Sequence, residues 1–152
     1  SSGMDSLIYK EFYNIGIAVD TDAGLIVPNI KDTEKKSIIK ISAEINDLAN
    51  LAKKRRLSND HLSGTTFTVS SLSGVGGKYF TPIINPPEVG ILGLSKTYDA
   101  VKIEKMKLHT KKQLPISLSY DHRVINGVYA VKFLTKLMQY LNDINFLESS
   151  FE

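Results

Sequence analysis

Hydrophobic and polar positions change rhythm several times along the chain, and each rhythm predicts an element. In YNIGIAVD (13–20), Tyr13, Ile15, Ile17 and Val19 alternate with small or polar partners, the period of a strand with one large-residue face. Asp22, Ala23 and Gly24 supply a turn and LIVPNI (25–30) resumes an extended run, so the segment predicts a hairpin with Pro28 at an edge or bulge. From Ser37 to Lys54 the period lengthens: Ile38, Ile41, Ile45, Leu48 and Ala52 recur at three- and four-residue spacing, as in an amphipathic helix. Its KKRR tail (53–56) favours the negative end of the helix dipole.

The β-branched run TTFTVSSL (65–72) predicts a strand that enters SGVGGK (73–78), a glycine-rich loop without P-loop spacing. EVGILGLS (88–95) is almost continuously apolar, which predicts a strand buried on both faces. The stretch 96–113 is polar and lysine-rich and reads as a surface hairpin or loop. LPISLSYD (114–121) returns to alternation, with Ile116, Leu118 and Tyr120 against Ser117, Ser119 and Asp121. Val128, Val131, Leu134, Met138 and Leu141 then define a C-terminal helix. Strands and helices mixed without regular βαβ repeats predict an α+β fold, a two-layer sandwich of mixed sheet and helices.

Composition narrows the chemistry. At 152 residues and 42% hydrophobic, the chain is long and apolar enough for one packed domain. Nineteen Lys and Arg against sixteen Asp and Glu leave a net charge of +3. That excess would suit a phosphate-bearing ligand, though a solvated surface is the simpler account, and neither a nucleic-acid nor a membrane partner is expected. With no cysteine, disulfides, thiolate metal sites and a cysteine nucleophile are excluded, so any thiol chemistry must come from a substrate. No metal site is expected. No apolar run approaches the roughly 18 residues of a membrane span, and no leader is expected. Ser1, Ser2 and Gly3 read as an expression scar.

One constellation stands out. SYDHRVINGV (119–128) places His122 where a strand gives way to a helix, with Asn126 and Gly127 positioned to open that helix. Histidine can take up and release a proton near neutral pH. A buried structural histidine and an ordinary asparagine cap remain open as alternatives.

These residues resemble the C-terminal catalytic domains of dihydrolipoyl acyltransferases, the core components of 2-oxo acid dehydrogenase complexes, related in fold to chloramphenicol acetyltransferase. The signature His-x-x-x-Asp-Gly, preceded by Asp and followed by Arg, stands here as Asp121-His122-Arg123-Val124-Ile125-Asn126-Gly127. NIGIAVDTDAGLIVPNIKD and TFTVSSLSGVGGKYFTPIINPPEVGILGLSK also look like family blocks in family order, covering most of the chain from Tyr13 onward. The resemblance implies acyl transfer between the thiols of coenzyme A and dihydrolipoamide. His122 would be the base and Ser70 the hydroxyl that stabilises the oxyanion. Asn126 would hold the loop or aid the intermediate. Asp20, Ser71, Gly93 and Ser95 would line the coenzyme A channel, with Phe80 near it, although a turn aspartate, strand-end serines and core packing are alternatives.

Coenzyme A would be a substrate, and the lipoyl group would arrive on a separate domain. The resemblance further implies a homotrimer with His122 facing a neighbour's serine, built into a cubic 24-mer core. Lipoyl domains and the decarboxylase and dihydrolipoamide dehydrogenase components would be partners, in a bacterial cytoplasm. Residues 4–152 would be the C-terminal part of the catalytic domain, lacking its N-terminal segment and the lipoyl and subunit-binding domains, with apolar surface left uncovered. Asn126, where Asp is commoner, reads as a mark of a bacterial pyruvate-dehydrogenase subtype. Branched-chain or succinyl transfer, an inactive scaffold, and a transferase to a hydroxyl acceptor are the alternatives.

Overall fold

The computed structural model describes residues 7–104 and 106–151, so the expected scar at 1–3 lies outside the described residues. Its centre is a five-stranded mixed sheet in the order β4-β1-β5-β6-β9, formed by β1 (Ile15–Ile17), β4 (Asn29–Ile30), β5 (Phe67–Ser71), β6 (Gly90–Leu94) and β9 (Ile116–Tyr120). The three inner strands run parallel and the two edge strands antiparallel to them. Pro28 is buried just before edge strand β4, where a residue without an N–H costs least.

The predicted hairpin exists as β2 (Val19–Thr21) and β3 (Gly24–Ile26), turning at Asp22 and Ala23. The single strand expected over 13–20 is corrected to two, β1 and β2, in different sheets. Its backbone changes partners: Ile17 N–H donates to Pro28 O (2.8 Å), and Ala18 N–H to Val69 O (3.0 Å).

Register sorts the side chains onto two faces, because paired residues point the same way. Ile30, Ile15 and Phe67 share one face, as do Val69, Leu92 and Leu118. Two helices cover that apolar face. The first is α1 (Ile38–Lys53), the helix that the periodicity predicts, which Ser37 caps and which buries Leu48 and Ala52; it packs on β2 and β4. The second is α3 (Gly127–Asn142), whose Phe133 ring meets Phe67 at 5.9 Å between centroids. The opposite face is small and polar: Thr68, Ile91 and Ser119 form one row, and Ser70, Gly93 and Ser117 the next. The segment 80–88 crosses it, with Phe80 O accepting from Ser117 Oγ (2.7 Å) and Glu88 accepting from buried Thr68 (2.6 Å). Strand β6 is thereby buried on both faces, as expected.

The apolar face of α3 differs from expectation. Ala130 is buried and Leu134 and Leu137 half-buried, whereas Val128, Val131, Met138 and Leu141 are exposed. The helix carries two adjacent apolar stripes, and the sheet covers only one. The lysine-rich stretch forms the hairpin β7 (Tyr98–Glu104) and β8 (Lys107–Gln113), which among the described residues is a two-stranded sheet of its own. Two short helices were not predicted: α2 (Asn59–Leu62), with a capping box between Ser58 and His61, and α4 (Ile144–Ser149), capped by Asp143. The chain exposes 11200 Å², where roughly 7,700 Å² is ordinary for a compact monomer of this mass. Such an excess, much of it apolar, is surface of the kind that partners cover.

Candidate functional site

Strand register divides the candidate residues between the two ends of the sheet. Ser70 stands near the C-terminal end of β5, opposite Gly93 of β6, which in turn opposes Ser117 of β9. A Cβ at Gly93 would lie 2.6 Å from Ser117 Oγ and 2.9 Å from the Phe80 ring, so glycine is what lets that aromatic close over the row. Phe80 thus packs directly beside the Ser70 row. Ser71 is exposed, with its Oγ 2.9 Å from Ser73 Oγ, and Ser95 is buried one residue beyond β6. Asp20 is exposed on β2, whose hairpin leaves the sheet beside Val69, at this same end. Ser70, Ser71, Gly93, Ser95 and Asp20 therefore belong to one end.

His122 and Asn126 belong to the other. Strand β9 runs against β6, so Tyr120 lies opposite Gly90. The chain then turns: Asp121 N–H donates to Val89 O (2.9 Å), and Asp121 O accepts from Val124 N (3.0 Å) and Ile125 N (2.9 Å). His122 is exposed on this turn, with its ring 5.6 Å from that of Tyr120. Asn126 caps α3, its Oδ1 accepting from Tyr129 N–H at 2.9 Å. From the row of Ser70 to the row of Tyr120 is roughly 10 Å along the strands and roughly 10 Å across them. One chain does not bring Ser70 and His122 into contact.

Arg123 folds back on Asp121: Nη2 donates to Oδ2 (2.6 Å), Nε to both oxygens (2.9 and 3.1 Å), and the backbone N–H to Oδ1 (3.0 Å). The guanidinium bonds first, and the N–H second, lower the Asp121 carboxyl from its ordinary 3.8 to about 2. This pair, and the Tyr120 ring, were not identified as parts of the site from sequence. The Asp-x-Arg spacing around a histidine was the available signal. Among the described residues no group of three or more side chains could hold a metal, and no helix is long and apolar enough to cross a membrane.

A family model described as 2-oxoacid dehydrogenases acyltransferase (catalytic domain) matches residues 2–148. The dihydrolipoyllysine-residue acetyltransferase component of the pyruvate dehydrogenase complex of Cupriavidus necator is 48% identical over 91% of the chain and 25% of its own length. The succinyltransferase component of the 2-oxoglutarate dehydrogenase complex of Rickettsia typhi is 45% identical over 88% of the chain and 33% of its own length. Among solved structures, the dihydrolipoamide acetyltransferase of Azotobacter vinelandii, investigated for the role of a serine, a histidine and an asparagine in its catalytic mechanism, matches with a TM-score of 0.87 at 44% identity. That match covers 92% of this chain and 58% of that one. The cubic core of the pyruvate dehydrogenase multienzyme complex matches with the same TM-score at 45% identity and the same coverage. The chain thus spans about a quarter of that acetyltransferase component and under three fifths of these solved chains. The expected α+β, chloramphenicol acetyltransferase-like fold is the one found. By its family match and by relatives nearly half identical along nine tenths of its length, the chain belongs to the 2-oxoacid dehydrogenase acyltransferases, in their catalytic domain.

Proposed function

We propose that this chain is part of the catalytic domain of a dihydrolipoyllysine-residue acetyltransferase of a bacterial, cytoplasmic pyruvate dehydrogenase complex. It moves an acetyl group between a dihydrolipoamide thiol and coenzyme A. One observation carries the reading: Ser70, His122 and Asn126 repeat the spacing of the serine, histidine and asparagine investigated in the Azotobacter vinelandii enzyme, 52 positions and then four.

The chemistry follows from the residues. A thiol with a pKa near 8.5 is mostly protonated at neutral pH, while its thiolate is the nucleophile. His122 takes the thiol proton as sulfur attacks the thioester carbonyl, and returns it to the departing thiolate when the tetrahedral intermediate collapses. Ser70 donates its hydroxyl hydrogen bond to the oxyanion. Asn126 fixes the start of α3 behind His122. Asp20, Ser71, Gly93 and Ser95, gathered at the Ser70 end, line the coenzyme A channel beside Phe80. Since His122 and Ser70 lie at opposite ends of one sheet, the working site takes its histidine from one copy and its serine from the next. A homotrimer, assembled into a cubic core and served by lipoyl domains, decarboxylase and dihydrolipoamide dehydrogenase, supplies that arrangement.

Thiol exchange between acetyl-coenzyme A and dihydrolipoamide tests the reading: His122→Ala should abolish turnover. A well-formed trimer without turnover would instead make the chain a scaffold. The Rickettsia typhi relative favours succinyl transfer as the second reading. Turnover compared between acetyl- and succinyl-coenzyme A decides between them.

A further inference from the structure

The acyl-transfer reading gives His122 a task that depends on aim, and the residues on either side of it form a frame which that reading leaves unused. Asp121 is tied through both of its backbone groups, to Val89 O and to the amides of Val124 and Ile125. Its carboxylate is occupied as well, accepting from the Arg123 backbone N–H and from Nε and Nη2 of the guanidinium. The small ring closed by the Asp121–Arg123 contacts encloses one further residue, His122. On the strand side the Tyr120 ring neighbours the imidazole, with centroids 5.6 Å apart and planes tilted by 37°. The Tyr120 hydroxyl would be 3.6 Å from a Cβ at Gly127, so one aromatic spans from the histidine to the start of α3.

We infer that the Asp121–Arg123 ion pair is a positioning device for His122, fixing the direction in which the imidazole leaves its turn. The inference rests on the acyl-transfer reading. The Asp121 side chain is 19% exposed and that of Arg123 70%, so the pair is open to water on its arginine side, where ion pairs add little to stability, and geometry is the main contribution left to it. Arg123 meets the carboxylate as a fork with two donors, which sets orientation as a point charge does not. A reacting group displaced by about 1 Å loses on the order of a hundredfold in rate, so a frame this close to the base has a large lever.

The test uses the full-length acyltransferase carrying this chain, in thiol exchange between acetyl-coenzyme A and dihydrolipoamide. Arg123→Ala and Asp121→Asn should each lower kcat about ten- to hundredfold with KM for coenzyme A within about twofold, and the double variant should be no slower than the slower single. Arg123→Lys, which keeps the charge and loses the fork, should fall between parent and Arg123→Ala. If Asp121→Asn fails to fold, the exposed Arg123 variants carry the test alone. An Arg123→Ala enzyme with kcat within about twofold of the parent overturns the inference, as do single effects that multiply in the double variant. A His122→Ala enzyme as active as the parent would sink the acyl-transfer reading instead. The frame is then read without activity, from the ring-current shift that Tyr120 imposes on the His122 ring protons. Its loss in Arg123→Ala supports the frame, and unchanged shifts overturn it.

Discussion

At the end of the sheet that holds Ser70, position is set by the regular ladder of β5, β6 and β9, and the side chain stands in a row whose neighbours are Gly93 and Ser117. At the other end His122 stands on a turn outside the ladder, held by the backbone bonds of Asp121 and by the ion pair to Arg123. The first end is fixed by three paired strands, so its weak point is steric. The second is fixed by a handful of local polar contacts, so its weak point is the removal of a partner. On the proposed reading, a donor that waits for an oxyanion suits the first arrangement, and a base that meets a thiol from another molecule suits the second.

The sharpest way to break the comparison is to remove the working group at each end. His122→Ala should lower thiol exchange by about a hundred- to ten-thousandfold, the range for losing a general base, with assembly unchanged by sedimentation. Ser70→Ala should lower kcat by about a hundred- to a thousandfold while the affinity for coenzyme A stays nearly constant, because in the proposed mechanism its bond forms to charge that develops during reaction. An unaltered rate in either variant would remove that residue from the mechanism. Mixing the two inactive variants tests the opposite-ends geometry itself: mixed assemblies in which an intact His122 faces an intact Ser70 should recover part of the activity.

A steric probe separates the ends next. Gly93→Ala places a methyl 2.6 Å from Ser117 Oγ and 2.9 Å from the Phe80 ring. The cost should be about 1–3 kcal/mol, read as a lower melting temperature. Its effect on activity should appear at the Ser70 end, as weaker binding of coenzyme A. A melting temperature equal to the parent's would show that the Ser117 hydroxyl and the Phe80 ring both move aside freely.

Much of this frame was legible in the sequence because it rests on local periodicity: α1 between Ser37 and Lys54, the runs that became β5, β6 and β9, and the turn at Asp22 and Ala23. The break at Ala18 was not legible, since it arises where successive amides bond to Pro28 and to Val69, far apart in the chain. Nor was the covered face of α3, because Val128 and Val131 are as apolar as Leu134 and Leu137 and only the sheet chooses between the stripes. Helix α4 carried a signal that went unread, Asp143 ahead of INFL, whose carboxylate accepts from the amides of Asn145 and Phe146. For the candidate site, residue types and spacing were visible. The separation of Ser70 from His122 depends on β9 running against β6, which no short motif records.

Acid should loosen the His122 end in a defined window. Because the bonds from Arg123 lower the folded Asp121 carboxyl from its ordinary 3.8 to about 2, the ion pair is fully formed above 3.8 and is lost as the pH falls through about 2. A carboxyl titration of Asp121 followed by NMR should show the lowered midpoint, and Arg123→Ala should return it toward 3.8. A midpoint that does not move in that variant would mean that Arg123 is not the cause.

Asn126→Asp should have the smallest effect, and it tests which property of Asn126 the turn uses. The observed contact is acceptance by Oδ1 from Tyr129 N–H, which a carboxylate makes as well, and a negative charge at a helix N-terminus is favoured by the dipole. Stability should therefore stay within about 0.5 kcal/mol of the parent, while Asn126→Ala, which loses the cap, should cost about 1 kcal/mol. Thiol exchange by Asn126→Asp should stay within about threefold if capping behind His122 is the whole role. The amide also carries two donors that a carboxylate lacks. A folded Asn126→Asp enzyme without activity would move Asn126 from the frame of the site to its chemistry, donating to the substrate or the intermediate.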